Sequence, residues 1–191
     1  GGWLFGRCRL SLCASRPNVI YAFVDNHNLG REAQEGERDA YGRQKVGRQI
    51  IGAEVYRSDD RGDSWRKVNQ DDLYEVFGIY GWKFTDIRVS PDDAGEIFIL
   101  GNRAFHSTDG GRSYDRIGET IVRIHDTQGE IMHLDQHEIW IDPLNPDRIL
   151  LGNDGGLFQS WDRGRSWLHI NNIPAAEFYA IATDRSEPYR I

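Results

Sequence analysis

The sequence lacks most of the features from which a protein's function is usually recognised. Its 191 residues include only two cysteines, Cys8 and Cys13, so no framework of disulfides holds the fold together and at most one local bridge can form. Positive charge is not in surplus either, because the formal net charge is -7 at pH 7. A nucleic-acid partner is therefore not expected, since a phosphate backbone needs a basic face.

Long apolar runs and glycine-rich phosphate loops are also missing. No stretch approaches the roughly 18 consecutive apolar residues of a membrane-spanning helix, so no membrane span is expected in this segment. The sequence has no P-loop and no dinucleotide-binding glycine pattern, which removes the usual signs of nucleotide chemistry. The sequence is rich in glycine and aromatic residues, with 21 Gly, six Trp, eight Tyr and eight Phe. The glycines favour turns and the aromatic residues a hydrophobic core, so a turn-rich, well-packed protein is expected.

The main signal is an eight-residue pattern that occurs three times. It has the form Ser-x-Asp-x-Gly-x-Ser-aromatic and begins at Ser58, Ser107 and Ser160. The copies are about 50 residues apart, which is the length of one four-stranded blade of a β-propeller. Each copy lies between two short stretches of alternating apolar residues, so it predicts a hairpin that joins two strands.

The residue types of this pattern suit a tight turn. The Asp carboxylate accepts backbone N–H groups across the turn, the Gly adopts a positive φ, and the aromatic residue anchors the outgoing strand in the core. A structural role is therefore predicted for these positions in all three copies, namely Ser58, Asp60, Gly62, Trp65, Ser107, Asp109, Gly111, Tyr114, Ser160, Asp162, Gly164 and Trp167.

A second block recurs upstream of each copy, where a proline-containing turn leads into an apolar strand. One more apolar strand precedes that block. Each unit is thus predicted to run as strand A, proline turn, strand B, loop, strand C, Ser-Asp-Gly turn and strand D. The predicted fold class is all-β, a partial β-propeller of four-stranded antiparallel blades, with three blades plus the first strand of a fourth.

The predicted blades span about 3–70, 80–118 and 133–171, and 178–191 begins the next blade. Because blades bury their faces against their neighbours, we expect 1–191 to be a single incomplete propeller domain, with the remaining blades of a longer parent chain as its partners. The first blade carries an insertion between strands B and C, residues 26–52. It is polar and charged, and we expect it to be flexible.

The repeated turns resemble those of Asp-box, or BNR-repeat, β-propellers, which include sialidases, xyloglucanase-type glycoside hydrolases and the sortilin propeller. More narrowly, the stretches 52–60, 135–146 and 151–167 are similar to bacterial sortilin-like propellers often labelled glycosyl hydrolases. The resemblance implies a secreted protein, extracellular or periplasmic, that binds a polypeptide or glycan ligand. The alternative that it implies is a glycoside hydrolase of the xyloglucanase type, with paired Asp residues in a cleft.

Blade geometry sorts the polar residues between two edges of the propeller. The D–A and B–C loops lie on one edge, here named the loop edge, and the A–B and C–D turns lie on the other, the turn edge. The Ser-Asp-Gly turns belong to the turn edge, which leaves the loop edge as the candidate binding face. The ligand-binding residues predicted on the loop edge are His27, Trp82, His137 and Asn153.

The sharpest cluster on the loop edge is formed by His133, Asp135 and His137. In an extended segment, residues two apart point to the same side, and two imidazoles with one carboxylate suit a divalent metal. The alternative is that both histidines only hydrogen-bond the loop backbone. No other cofactor is suggested by the sequence.

Three carboxylates on the loop edge are the candidates for hydrolysis, Asp25, Asp135 and Asp154. A glycosidase needs two carboxylates roughly 5 to 9.5 Å apart around the scissile bond. Because the three residues belong to different blades or loops, the sequence leaves their separation open. The alternative is an acidic edge that is merely solvated.

Overall fold

The computed structural model describes residues 4–39, 41–70, 73, 76, 81–118, 121–123 and 132–173, with 121–123 described by their backbone alone. Within these residues the chain is all-β, and its strands form three sheets, each with four antiparallel strands and the third with one strand more, which confirms the predicted fold class. The strand expected at the start of 178–191 lies outside the described residues, as does Trp3 at the start of the first predicted blade.

The three sheets follow one another along the chain. The first sheet has the order β1 (Phe5–Cys13), β2 (Arg16–Glu32), β3 (Arg48–Ser58) and β4 (Arg66–Lys67). The second has the order β5 (Asp86–Val89), β6 (Ile97–Leu100), β7 (Ala104–Ser107) and β8 (Asp115–Arg116). Within each sheet, sequential strands are neighbours, as a meander of hairpins requires.

The third sheet contains a fifth strand that the sequence patterns did not indicate. After β9 (Ile121–Arg123), the chain forms β10 (Gln136–Ile141), β11 (Ile149–Asn153), β12 (Gly156–Ser160) and β13 (Trp167–Ile170). The order in the sheet is β10-β11-β12-β13-β9, and β9 pairs with β13 in parallel. A segment that precedes the third sheet in sequence therefore covers the outer edge of that sheet.

The core lies between the sheets, and β6 shows how alternation builds it. Ile97 and Ile99 are fully buried in a cluster with side chains of the first sheet. Phe98 and Leu100 point to the opposite face and belong to a second cluster, with side chains of the third sheet. Because successive residues of a strand face opposite sides, a run of four apolar residues contacts both neighbouring sheets at once.

The three Ser-Asp-Gly turns connect the last two strands of each sheet and share one hydrogen-bond network. In the first, the Ser58 hydroxyl donates to the Asp60 carboxylate at 2.7 Å and accepts from the Gly62 N–H at 2.8 Å. The same carboxylate accepts from the N–H of Ser64 at 2.9 Å. The hydroxyls of Ser64 and Ser58, with that N–H, lower the pKa of Asp60 to about 2, so the carboxylate stays ionised.

The aromatic residue that ends the pattern is not equally buried in each turn. Trp167 is 1% exposed and donates from its indole N–H to the Gly164 carbonyl at 3.0 Å. Trp65 makes the equivalent bond to Gly62 at 2.9 Å but remains 41% exposed. The indole thus closes the turn in both places, while only Trp167 anchors a strand in the core.

The insertion of the first sheet is an extension of the β2–β3 hairpin and not a flexible loop. The two strands remain paired as far as Glu32 and Arg48, and we name residues 27–51 the arm. Charged residues of the arm bond one another: Glu37 accepts from the guanidinium of Arg31 at 2.7 Å and from the ammonium of Lys45 at 2.7 Å. The expectation of flexibility was wrong because these charges pair locally instead of remaining solvated.

No helix among the described residues is both long enough and apolar enough to cross a membrane.

Replacing Asp162 by alanine tests the turn network. The hydroxyl of Ser160 and both the N–H and the hydroxyl of Ser166 donate to this carboxylate at 2.6 to 2.9 Å. We expect Asp162→Ala to lower the free energy of unfolding by about 1–3 kcal/mol, because these donors lose their acceptor. Urea denaturation followed by tryptophan fluorescence measures the change.

The matched control is Asp63→Ala, since Asp63 lies in the first turn, is exposed, and has no side-chain hydrogen bond to any described residue. Equal stability of the Asp162→Ala and Asp63→Ala proteins would contradict the structural role of the turn.

Candidate functional site

The segment that leads into β10 is fixed against the second sheet by its backbone. The N–H of Asp135 donates to the Asn102 carbonyl at 2.9 Å, and the N–H of Gln136 donates to the Gly101 carbonyl at 2.8 Å. Both acceptors belong to the turn between β6 and β7. A D–A loop and a B–C loop of neighbouring sheets therefore meet at the loop edge, where the binding face was expected.

Asp135 has a left-handed backbone that sets the direction of its carboxylate. Its φ is 66°, a conformation that residues other than glycine seldom adopt outside turns and functional sites. The carboxylate accepts a hydrogen bond from the hydroxyl of Tyr41, at the tip of the arm. The arm of the first sheet thus reaches across the second sheet to the entrance of the third.

The left-handed residue also prevents the predicted metal cluster. Alternation requires extended backbone, and the positive φ of Asp135 breaks it between His133 and His137. His133 instead bonds the Leu134 carbonyl through Nδ1 at 3.0 Å, and His137 bonds Asp154. Among the residues that the structure describes, no three His, Cys, Asp or Glu side chains come together as metal ligands. The metal site predicted from His133, Asp135 and His137 is therefore not formed.

His137 and Asp154 form a pair at the loop edge of the third sheet. The Nε2 atom of His137 lies 2.5 Å from Oδ1 of Asp154, and the imidazole packs edge-on against Phe84 with ring centroids 5.3 Å apart. In the ladder between β10 and β11, Gln136 is paired with Asn153. Asp135 precedes Gln136 and Asp154 follows Asn153, so two of the three candidate residues lie next to the same pair at the end of the sheet.

Asn153, predicted as a ligand-binding residue, is engaged in hydrogen bonds within the chain. Its amide donates to the Gln136 side-chain carbonyl at 3.1 Å and to the His133 carbonyl at 3.2 Å. Its own carbonyl accepts from the Gly155 N–H at 2.8 Å. These bonds join the segment before β10 to the end of β11.

Asp25 is the candidate carboxylate that the structure places apart. It is 1% exposed, and its Oδ2 atom lies 2.6 Å from Nε2 of His27, while its Oδ1 atom is buried without a hydrogen-bond partner. Gly6 and Gly81 press against it, and a Cβ atom at Gly81 would overlap the carboxylate. Asp25 is therefore enclosed by backbone, and a sugar chain has no access to it.

A groove of about 460 Å³ opens at the loop edge, and we name it the loop-edge groove. It lies between the tip of the arm, the outer strands of the second sheet and the segment before β10. Its walls are formed by Tyr41, Arg103, Arg116, Met132, His133, Leu134 and Asp135. Five of these, Tyr41, Arg103, Arg116, Met132 and Leu134, were not predicted as site residues. The one sequence sign for Tyr41 was that no other aromatic residue occurs in the insertion.

Trp82 lies at the same edge, in the turn that leads into β5. It is 62% exposed, the largest apolar surface among the predicted ligand-binding residues. It does not line the loop-edge groove. The loop edge therefore carries two separate features, the groove lined by Tyr41 and the exposed side chain of Trp82.

The inner strands carry a chain of charges next to this edge. The strand β5 lies between β1 and β10, and Arg88 of β5 bonds Asp86 at 2.8 Å and also pairs with Glu138 of β10. Burial raises the pKa of Asp86 to about 6, although the charge of Arg88 opposes the shift. The second carboxylate oxygen of Asp86 is buried without a hydrogen-bond partner, which explains why the ionised form is disfavoured.

No protein-family model matches the chain, and no curated protein sequence matches it. Many solved structures are similar to it, and two GH74 enzymes are among them. One is the GH74 xyloglucanase from Xanthomonas campestris, with a TM-score of 0.57 and 18% identity, over 86% of this chain and 23% of that one. The other is the GH74 enzyme of Niastella koreensis, with a TM-score of 0.55 and 15% identity, over 85% of this chain and 22% of that one.

At these identities the similarity shows the fold, that of a β-propeller. The chain spans less than a quarter of the length of either enzyme, because it covers 22% and 23% of them.

The buried Asp86 predicts a pH-dependent stability. Its folded pKa of about 6 lies above the ordinary value of 3.8, so the folded chain keeps a proton that the unfolded chain releases in this range. The stabilisation that the protonated Asp86 contributes is fully present below pH 3.8, the pKa in the unfolded chain. It is lost as the pH rises through about 6, the pKa in the folded chain. We expect the free energy of unfolding to fall by up to about 3 kcal/mol from this group between pH 4 and pH 7.

Urea denaturation of wild type and Asp86→Asn at pH 4 and pH 7 tests this expectation, because the variant should lose that part of the pH dependence. Asp63→Asn should keep the wild-type dependence. The same slope in all three proteins would show that Asp86 is not the buried acid.

Proposed function

We propose that this chain is part of a β-propeller that binds a glycan on its loop edge, outside the cytoplasm. The observation that carries the proposal is the loop-edge groove, in which Tyr41 from the first sheet is hydrogen-bonded to Asp135 at the entrance of the third. Its volume of about 460 Å³ falls within the usual range of small-ligand sites, roughly 300 to 1,000 Å³.

The lining of this groove offers what a sugar needs. A pyranose ring has apolar C–H faces and a rim of hydroxyls, so it is bound by aromatic or apolar walls with a few polar groups. Tyr41, Met132 and Leu134 supply the apolar wall, and Arg103 and Asp135 supply a donor and an acceptor. The combination suits a neutral or weakly charged polyol better than it suits a compact ion.

Tyr41 is held in place before any ligand arrives. Its backbone N–H donates to the Asp39 carboxylate at 2.9 Å, and the guanidinium of Arg43 lies 5.0 Å from the centroid of its ring. Together with the bond to Asp135, these contacts fix both ends of the side chain. A preformed aromatic wall lowers the entropy that binding costs.

A polypeptide is the other ligand class that the sortilin-like resemblance implies. The glycan is preferred because the lining of the groove, with Tyr41, Met132 and Leu134 beside Arg103 and Asp135, suits a polyol. An extended peptide would need an open strand edge or a longer channel along which its backbone can bond. The likeness to a xyloglucanase selects xyloglucan oligosaccharides as the probe.

Hydrolysis is a second candidate function, and one observation favours it. Asp135 and Asp154 flank the paired residues Gln136 and Asn153, so two carboxylates share one point of the loop edge. Asp154 is bonded to an imidazole and Asp135 to a phenol, so their surroundings differ, as the acid and the base or nucleophile of a glycosidase require. The missing parts of the cleft would then come from other blades of the parent protein.

Binding is tested by isothermal titration calorimetry with xyloglucan oligosaccharides. We expect Tyr41→Ala to weaken binding about tenfold, the equivalent of about 1.4 kcal/mol of lost contact. Trp161→Ala is the control, because Trp161 is also exposed but lies in the third Ser-Asp-Gly turn, on the turn edge. Unchanged affinity in the Tyr41 variant would overturn the proposal.

Hydrolysis is tested on the full-length parent protein by release of reducing ends from xyloglucan. We expect Asp135→Asn and Asp154→Asn to abolish turnover, by about 100-fold or more, since a neutral amide replaces neither an acid nor a nucleophile. Both variants should still bind the oligosaccharide. Activity that survives in both variants would show that Asp135 and Asp154 do not catalyse hydrolysis, and only the glycan-binding proposal would remain.

A further inference from the structure

The turn edge carries two grooves at equivalent positions between successive sheets. The first junction groove, about 450 Å³, lies between Arg57 and residues 66–70 of the first sheet and the turn 109–112 of the second. The second junction groove, about 570 Å³, lies between the corresponding strands of the second sheet and the turn 163–165 of the third. Because both are built from the same blade elements, their differences come from their side chains alone.

Arginine neutralises the second junction groove. Arg163 has a left-handed φ of 60° and extends from its turn into the groove. Its guanidinium bonds Asp92 at 2.7 Å, Glu96 at 2.5 Å and Asp147 at 2.8 Å. The turn itself thus provides a cation that pairs with Glu96, one of the acids that line this groove, and with Asp92 and Asp147 outside its lining.

Glycine occupies the equivalent position in the first junction groove. Gly110 has a φ of 79°, close to the values of 66° and 60° at Arg61 and Arg163 in the other two turns. Because Gly110 has no side chain, the groove stays open as far as Arg57. A Cβ atom at this position would lie 3.3 Å from Nη1 of Arg57.

The first junction groove is lined by more cations than acids, whereas the lining of the second holds three arginines and three acids. Its lining includes four cations, Arg57, Arg66, Lys67 and Arg112, and one acid, Asp109. The Asp109 carboxylate is occupied by its own turn, where it accepts from the Ser107 hydroxyl at 2.8 Å and the Ser113 N–H at 3.1 Å. In a protein with a net charge of -7, this groove is a local concentration of positive charge.

The cations are compensated only in part by neighbouring acids. One carboxylate, that of Asp59, is shared by Arg57 and Arg66, and Lys67 bonds Glu54 at 2.6 Å. Arg112 donates through Nε to a backbone carbonyl at 3.0 Å and has no ion-pair partner in the part of the chain that the structure describes. Guanidinium N–H groups of Arg66 and Arg112 therefore remain to bind a further acceptor.

Arg57 supplies a rigid floor for such an acceptor. It is only 15% exposed, donates to the Tyr21 hydroxyl at 2.8 Å, and its guanidinium lies 5.4 Å from the centroid of the Tyr21 ring. A guanidinium fixed in this way loses little freedom when an anion arrives.

We propose that the first junction groove is a binding site for a compact organic anion that carries carboxylate or sulfate groups. Planar guanidinium forks match these groups geometrically, and the volume of about 450 Å³ admits a ligand of several such groups. In the second junction groove, the chain itself provides the countercharge, since Arg163 pairs with Glu96. In the first junction groove, the bound anion is the countercharge of the arginine and lysine side chains. The site lies on the turn edge and is independent of the glycan proposal.

Calorimetric titration of the whole chain with citrate and with sodium sulfate, at low ionic strength, tests this site, because salt screens exposed charges. We expect both anions to bind in competition. Arg66→Gln combined with Arg112→Gln should weaken binding at least about tenfold. Gly110→Glu should abolish it, because the new carboxylate lies beside Arg57 and takes the place of the anion.

The matched control is Arg165→Gln, which removes the arginine at the equivalent position of the third turn. Gly110→Glu is compatible with folding because a long side chain, that of arginine, already adopts this left-handed conformation at two equivalent positions. Circular dichroism verifies that each variant is folded. Absence of binding in the folded wild type, equal weakening by Arg165→Gln, or full binding by folded Gly110→Glu would each overturn the proposal.

Discussion

The structure depends on one constraint, that every sheet must bury both of its faces against another sheet. The second sheet meets it fully among the described residues: Ile97 and Ile99 pack toward the first sheet, and Phe98 and Leu100 toward the third. A four-residue strand that is apolar throughout has no stable place in an isolated sheet with a solvated face. The apolar contacts that stabilise the fold therefore lie between the sheets, and the second sheet contributes to both clusters.

The sites follow from the same constraint. When sheets stack face to face, loops from neighbouring sheets are brought together at both edges, and grooves form at each junction. At the loop edge, Asp135 meets Tyr41 from a distant part of the sequence. At the turn edge, a single position of the repeated turn decides the outcome, since Arg163 fills one groove and Gly110 leaves the other open.

Much of the fold was predictable from the sequence because apolar and polar residues alternate regularly in its short strands. The recurring Ser-Asp-Gly pattern also marks the turn between the last two strands of each predicted blade. The strand β13 was predicted at Trp167–Ile170, as observed. The strand β9 was missed because only a parallel partner distant in sequence stabilises it. The arm was taken for a flexible loop because composition does not reveal that Glu37 pairs with Arg31 and Lys45.

The candidate site was less predictable, since it depends on backbone conformation and tertiary contact. The metal hypothesis assumed that 133–137 is extended, and one left-handed residue, Asp135, removes its basis. Asn153 lies on the loop edge, as predicted from the sequence, but its amide donates hydrogen bonds to Gln136 and His133 within the chain. Tyr41 gave little signal, because its importance lies in a contact with a residue 94 positions away.

The position of β9 has a consequence for association between copies. A sheet's outermost strand presents unpaired N–H and C=O groups, to which another chain can add a strand of its own. In the third sheet, β9 occupies that place beside β13, and in the other two sheets the outermost strands, β4 and β8, are only two residues long. Self-assembly by strand addition is thus disfavoured at these three outer margins, since each ends in a strand of only two or three residues.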